Sequence, residues 1–589
     1  MEISSTAGPY APLDIDKKEA RVLYLEPGLF HDDVRVRLQV VSLDDDPTYE
    51  TLSYAWGTEQ SPRSVLVNGT HYLTITQNLD CALRHLRYRS IYPRVLWIDA
   101  LCINQQDLEE RSHQVQLMST VYTQAADVLK WLGPDKNKDF TRFLRYLTYQ
   151  VTPKSPEELS PLLRDAVRLV ELPWFYRVWV AQEFTLSTNE PKVYIGRRCV
   201  LWCTAALAIQ RLLLLYFNST FLGSEDLGAT AQSYFRSIRR LRQFEKLRER
   251  SRRYLGDRLE RLCRSKKQPL CSRLEATLHL QASDPRDKIY DILAISDSLE
   301  SSIIPDYTLP IQTVLSQAAA AILRDGEAQL YLSFPLHFAR CEDSRGFSIV
   351  PDRPSWVPDP TLWSKLSSQD HSGQGECWMP SIILHRTLEA LPSVWKFSTS
   401  PPMASFSEDC TTLFATGRIL GHVSWTSILD PSRGLHETRN LHEIYHTKVQ
   451  QRGYTYEAFF DILMYPQPET HSAFDTFLRL PYPLTDETLA EYEEILTSVL
   501  QQTMYQTFYT TSSGKLGKSY HPDPDGIRAG DILVGLFGID FPFLLRPLEN
   551  KKYMMINVAY IVDHHCGKDL GLGEGLDSED SRLEVFEIV

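Results

Sequence analysis

Two acidic residues stand where a side chain could do chemistry. Asp99 follows directly on the apolar run RVLWI at 94–98, with Cys102, Asn104 and Gln105 just beyond it. Ser53, Tyr54, Trp56 and Gly57 close another strand-like segment, ETLSYAW at 50–56. In a parallel sheet, ligands gather outside the carboxyl ends of the strands, because loops and helix N-termini converge there. Asp99 is therefore a candidate functional carboxylate; the alternative is an aspartate whose side chain simply caps the following loop. Glu183 lies four residues after Trp179 in WVAQE, a helical spacing that puts indole and carboxylate on one face. Partial burial beside an aromatic wall would raise its pKa and suit it to ribose or proton chemistry. The alternative is a surface glutamate paired with Arg177.

Other reactive-looking groups are weaker. Cys102 and His113 stand eleven apart with no third partner, so a buried apolar cysteine is the better reading. His564, His565 and Cys566 lack a second ligand set at metal spacing and read as a loop. Gly571, Gly573 and Gly575 sit in an acidic tail rather than between a strand and a helix, which is no dinucleotide fingerprint.

The elements that must position these groups follow from apolar periodicity. Segments 64–67 and 71–75 flank Asn68-Gly69, a strong hairpin signal. A helix is expected from about 78 to 89, with Leu79, Leu83 and Leu86 on one face and Asn78 as its cap. RVLWI reads as a strand buried on both faces. A second helix starts near Asp107, where DLEE offers a capping box to Glu110, and Leu108, Val115, Met118, Tyr122 and Ala125 keep its period. DVLKWL at 127–132 is the next buried strand, stopped by Gly133-Pro134. Strand, helix, strand with short joints is a βαβ unit and implies parallel pairing. A helical stretch then carries LPWFYRVWVAQEF at 172–184, followed by a strand at 191–196 and a helical pattern from 201 to 280. Further helices are expected at 287–294 and 311–324, and strands at 412–414, 531–537, 543–545 and 553–562.

Composition bounds the function classes. The chain has 589 residues, 43% of them hydrophobic, enough for several packed cores. A net charge of −13 argues against a surface given over to nucleic acid. The stretch 236–267 holds fourteen Lys and Arg against four Asp and Glu. Its charges are spread around the helix with few aromatics between them, so a solvated, salt-bridged helix is expected rather than a nucleic-acid contact. Ten cysteines form no paired CxxC sets. The N-terminus shows no secretory pattern, and the best apolar stretch, 204–217, is broken by Gln210 and Arg211 and too short to span a bilayer. Sequons at Asn68 and Asn218 read as chance matches. A cytoplasmic protein with reduced thiols and no membrane span is expected.

Three blocks of this sequence resemble the fungal heterokaryon incompatibility (HET) domain: YETLSYAWG (49–57), the segment from RVLWIDALCINQQ to LKWLG (94–133) and WFYRVWVAQE (174–183). SDPRDKIYDILAI (283–295), IPDY (304–307), PSWVPD (354–359) and GDILVGLFGIDFPFLLRP (530–547) are similar to distal parts of full-length members. Asp291 stands where a glycine is frequent in that family. The resemblance implies a protein of non-self recognition in which the HET domain is the effector of programmed cell death. It also implies a distant likeness to TIR domains, some of which hydrolyse NAD+ through a helical glutamate, and hence an α/β, flavodoxin- or TIR-like parallel sheet at the N-terminus. Trp179 to Glu183 is similar to the WxxxE segment that carries that glutamate. On this reading Glu183 and Asp99 are the catalytic residues. Ser53, Tyr54, Trp56, Gly57, Asn104 and Trp179 line the nucleotide. NAD+ is then the substrate, and no cofactor or metal is required. The expected organisation is a HET domain over 1–200, a mainly helical region over 201–360, a linker over 361–410 and a β-rich region over 411–589. The competing expectation is a non-enzymatic signalling module that self-associates or docks a protein partner or allelic incompatibility factor.

Overall fold

The computed structural model describes residues 8–57, 61–89, 91–135, 156–218, 269–278, 280–296, 303–326, 331–332, 353–360, 404–428, 435–453, 476–477, 479–493, 506–520, 526–537, 539, 541–561 and 582–589. The basic stretch 236–267, most of the expected linker, the His564–His565–Cys566 run and the glycine-containing tail lie outside these residues. The chain divides into two compact units, one of residues 1–297 with 303–310 and one of residues 298–302 with 311–589.

The first unit is built on a nine-stranded sheet: β1 (Glu19–Leu25), β2 (Arg35–Ser42), β3 (Glu50–Tyr54), β4 (Arg63–Val67), β5 (His71–Ile75), β6 (Arg94–Trp97), β7 (Asp127–Gly133), β8 (Lys192–Ile195) and β9 (Arg198–Leu201), in the order β5-β4-β2-β1-β6-β3-β7-β8-β9. Its helices are α1 (Gln77–Leu86), α2 (Asp99–Cys102), α3 (Leu108–Gln124), α4 (Pro156–Val170), α5 (Val180–Thr185), α6 (Trp202–Asn218), α7 (Leu270–Thr277) and α8 (Asp287–Leu293).

The chain is mixed α/β, as expected, and the sheet is mixed as well. β6, β3, β7 and β8 run parallel. β1 pairs antiparallel with both β2 and β6, and β8 with β9. The expectation of a parallel sheet thus holds at the centre and where β2 meets β4, and fails at the other pairings. The reason is connection length: Gly196-Arg197 alone joins β8 to β9, and only an antiparallel pair can be closed by so short a turn. Two strands, β1 and β2, precede the segment read from sequence as the first strand. The βαβ unit forms from β6, α3 and β7, but β3 is seated between its two strands, with Glu50 opposite both Leu96 and Asp127.

Local chemistry explains the boundaries. Asn68 (φ 53°) and Gly69 (φ 74°) make the expected hairpin turn. Thr76, not Asn78, caps α1 by accepting from Leu79 N–H. Asp107 caps α3 through Glu109 and Glu110 N–H. The box does not close, because Glu110 instead accepts from Asn104 N–H and pairs with buried Arg21 at 2.6 Å. Leu108 is exposed rather than buried, while Val115, Met118, Tyr122 and Ala125 face the core. At the start of the central strands Arg94 binds Glu50 with two nitrogens, at 2.6 and 3.0 Å, and so ties β6 to β3. Trp97, Trp131 and Trp174 are fully buried, each worth on the order of 3 kcal/mol in burial.

The second unit holds the other nine-stranded sheet: β10 (Ala404–Phe406), β11 (Leu413–Ile428), β12 (Gln506–Thr511), β13 (Leu516–Tyr520), β14 (Ile532–Leu536), β15 (Pro542–Pro547), β16 (Lys552–Val558), β17 (Tyr560–Ile561) and β18 (Glu584–Ile588). The long β11 pairs in turn with β18, β14 and β12. Its β14 contact closes a ring of five strands, β14-β15-β16-β18-β11. Gly417 sits where β11 passes from β18 to β14; a Cβ there would lie 2.6 Å from Gly535 O. Helices α9 (Ile311–Arg324), α10 (Leu435–Ile444) and α11 (Asp486–Glu491) belong to the same unit. No helix among the described residues is long and apolar enough to cross a membrane.

Candidate functional site

Because β3 and β6 are parallel neighbours, the segments that leave their carboxyl ends emerge side by side. β3 runs out through Ala55 into Trp56, which is 40% exposed, and Gly57, whose φ of +81° favours glycine. Asn78 braces this turn: it donates to Ala55 O at 2.6 Å and accepts from the buried Trp131 indole at 2.9 Å. β6 leads directly into α2, which begins at Asp99.

The two acids are brought to the same place. Asp99 Oδ2 accepts the Trp56 indole N–H at 3.0 Å and lies 3.8 Å from Arg177 Nη2. Its Oδ1 accepts Ala100 N–H at 2.8 Å, so the capping alternative is also realised, by the other oxygen. Glu183 is 1% exposed on α5, and its Oε2 accepts the Ser53 hydroxyl proton. Ser53 Oγ accepts in turn from the Trp174 indole at 2.8 Å. Arg177 joins the halves: it faces both acids and donates to Tyr54 O. Ser53, Tyr54, Trp56, Asp99 and Glu183 therefore form one connected cluster around a single guanidinium, running from the core to an exposed indole.

Electrostatics follow from burial. Glu183 is raised above the ordinary carboxylate range by loss of solvation, against the opposing pull of Arg177 and the Ser53 hydrogen bond. Asp99 is raised for the same reason, against Arg177 and the Trp56 N–H. Burial lowers Arg177, but the two acids outweigh it and its pKa is raised. Lys130 on β7 lies over the Phe184, Trp174 and Trp202 rings, with its Nζ 3.3 Å from the Phe184 centroid. The cluster can hold hydroxyl or cationic groups on two acids and stack a ring on Trp56. Among the described residues no group of three or more His, Cys, Asp or Glu could hold a metal ion.

Two expected members stand apart. Asn104 turns into its own loop, its N–H donating to Glu110 and its Oδ1 accepting Gln106 N–H. Trp179 precedes α5, and its indole serves Asp287 rather than Glu183. The aromatic wall beside the glutamate comes instead from Trp174 and Tyr122. The Tyr122 hydroxyl is pushed far up by burial and then by Glu183. Cys102 is a structural thiol, pushed up to about 12 by burial. Arg177 was legible as a partner of Glu183 at the surface, but not as the cation shared by Glu183 and Asp99. The roles of Asn78 and Trp174 depend on strands remote in sequence.

Behind α5, Gln281 and Asp291 fix its position. Gln182 N–H donates to Asp291 Oδ1 at 3.3 Å, and Val178 N–H to Gln281 O at 2.9 Å. The family model described as heterokaryon incompatibility protein (HET) matches residues 49–183, which begin just before β3 and end on Glu183. The chain is similar to "Heterokaryon incompatibility protein 6, OR allele" of Neurospora crassa, at 24% identity over 97% of this chain and 96% of that protein. No solved structure matches significantly.

Proposed function

We propose that the chain is a HET-domain protein that acts in heterokaryon incompatibility in a filamentous fungus, as a cytoplasmic effector of cell death that hydrolyses NAD+. One observation carries this reading: Glu183, Asp99, Arg177 and Trp56 meet at the carboxyl ends of adjacent parallel strands. That is where an α/β sheet receives nucleotides. A TIR-like arrangement of the first unit belongs to the same proposal.

The adenine or nicotinamide ring stacks on Trp56. Glu183 accepts from the nicotinamide ribose hydroxyls in place of Ser53 and stabilises the positive charge that develops at C1′. The C1′–N bond breaks with its electron pair leaving on nicotinamide. Water adds at C1′, and its proton passes to solvent by way of Asp99, giving ADP-ribose, nicotinamide and H+. Arg177 opposes the rise that burial imposes on both acids. Purified full-length protein, alone and with an oligomerising partner, is incubated with NAD+ and nicotinamide is measured. Release that equals that of Glu183→Gln under every condition overturns the enzymatic reading.

A second reading has its own support. Glu183 is 1% exposed and already engaged by Ser53, as befits a structural carboxyl in a module that signals by docking a protein partner or a second copy. Expression in yeast separates the two. Death that survives Glu183→Gln but is lost when self-association is blocked assigns the scaffold.

A further inference from the structure

His442 and His446 fall in the sequence LHEIYH, on the turn where α10 gives way to a π-helical stretch, Tyr445–Val449. Residues four apart share a helix face, and here the two Nε2 atoms face each other at 3.3 Å. Two zinc–nitrogen bonds of about 2.0–2.1 Å meeting near the tetrahedral angle set their nitrogens about 3.3 Å apart. The spacing is therefore that of a zinc bite, which opens once a cation displaces the His442 Nε2 proton that Leu480 O accepts.

The surroundings orient the rings. His446 Nδ1 lies 3.2 Å from Gln450 Oε1, the acceptor that a ligating imidazole uses to fix its tautomer and leave Nε2 bare. Tyr482 stacks on both rings, at interplanar angles of 28° and 29°. His442 is fully buried, its Nδ1 has no hydrogen-bond partner among the described residues, and its Nε2 lies 3.1 Å from Leu480 O.

We propose that His442 and His446 form a binding site for a divalent transition cation of the zinc class, with Leu480 O beside it and the remaining positions open to water. The spacing HExxH is the one that metalloproteases place on a helix around zinc. Here Glu443 is exposed and no third acidic, thiol or imidazole ligand completes a set among the described residues. The site is assigned cation binding, not peptide hydrolysis. A bound cation would brace the α10 helix against the turn that carries Leu480 and Tyr482.

The full-length protein is titrated with Co2+ and the visible absorption of the ion is followed, with Zn2+ competition and a thermal melt in parallel. One equivalent should develop a tetrahedral spectrum that Zn2+ displaces, and Zn2+ should raise the melting temperature. His446→Gln should abolish both signals with its far-UV circular dichroism unchanged. Gln450→Ala, an exposed substitution that leaves both ligands in place, should weaken affinity by about tenfold or more. An absent Co2+ spectrum in the wild-type protein overturns the proposal, as does an undiminished one in His446→Gln.

Discussion

Two pairs of aspartate and arginine, one in each unit, are made of the same groups and held in different ways. In the second unit Asp531 takes two nitrogens of Arg546, at 2.9 and 3.0 Å, together with Arg528 N–H at 2.8 Å. Arg546 also donates to Gly526 O. In the first unit Asp99 receives one Arg177 nitrogen at 3.8 Å and an indole from a half-exposed tryptophan. Arg177 divides itself among Asp99, Glu183 and Tyr54 O. The forked pair spends its hydrogen-bonding capacity on its own chain and fixes a fold. The divided pair leaves one cation between two acids whose burial disfavours charge, a balance that an incoming ligand can tip.

Substitutions test that contrast, beginning with the largest effect. Glu183→Gln keeps a partner for the Ser53 hydroxyl, so the chain should stay folded while nicotinamide release falls by about 10³-fold, or about 4 kcal/mol in barrier. Steady-state assay with circular dichroism checks both halves; unfolding of this variant would erase the distinction between the two pairs. Asp531→Ala strands a partly buried guanidinium and should cost about 3–5 kcal/mol in urea denaturation of the full chain. A loss below about 1 kcal/mol would show that the forked pair is not what fixes the second sheet.

A third acid lies between these extremes. Asp287 accepts the Tyr307 hydroxyl at 2.6 Å beside Arg111, and burial pushes it up to about 6. The folded state therefore keeps a proton that the unfolded chain releases above about pH 4. Its stabilising contribution is full below about pH 4 and is lost as pH rises through about 6, by about 2–3 kcal/mol at most. Neighbouring Asp284, lowered by Arg286 despite its burial, works in the opposite sense and loses its contribution as pH falls. Asp287→Asn should remove the slope between pH 4 and about 6 in denaturation curves; an unchanged slope would assign it to other groups. The smallest effect is expected at Trp56. Its change to Ala should alter stability by less than about 0.5 kcal/mol but raise KM for NAD+ about 2- to 10-fold through lost stacking.

How much of this was legible in the sequence can be said element by element. The hairpin at Asn68-Gly69, the strands β6 and β7 and the helix α3 between them were readable, because turn chemistry and apolar period are local. β1, β2, β9, β10, β12, β13 and β18 were not, and only the start of β11 was. In β1 four consecutive residues, Ala20 to Leu23, are buried without alternation, and Arg21 among them is buried by pairing with Glu110, eighty-nine positions away. The cap of α1 was misassigned because Thr76 and Asn78 are both good caps, and only the call on Asn78 by Trp131 and Ala55 decides between them. Asp99 and Glu183 were readable as candidates from their places after a strand and within WVAQE. Asn104 and Trp179 stood in the same motifs but turned elsewhere. The His442–His446 pair was not read from the sequence, because motif spacing alone cannot say whether two imidazoles face each other.

The sequence by itself determined which groups are present and what they can become locally: the polar residues at the ends of strands, the helix that carries Glu183, and a resemblance strong enough to name a domain. Tertiary structure alone decided which of them meet. Seating β3 between β6 and β7 sets Ser53 beside Glu183 and Trp56 beside Asp99, across 130 and 43 positions of chain. The same packing strips water from both acids and makes one arginine answer to each. Propensity acts over a few residues, whereas burial and charge coupling act through space, so the chemistry of this cluster exists only once the sheet is ordered.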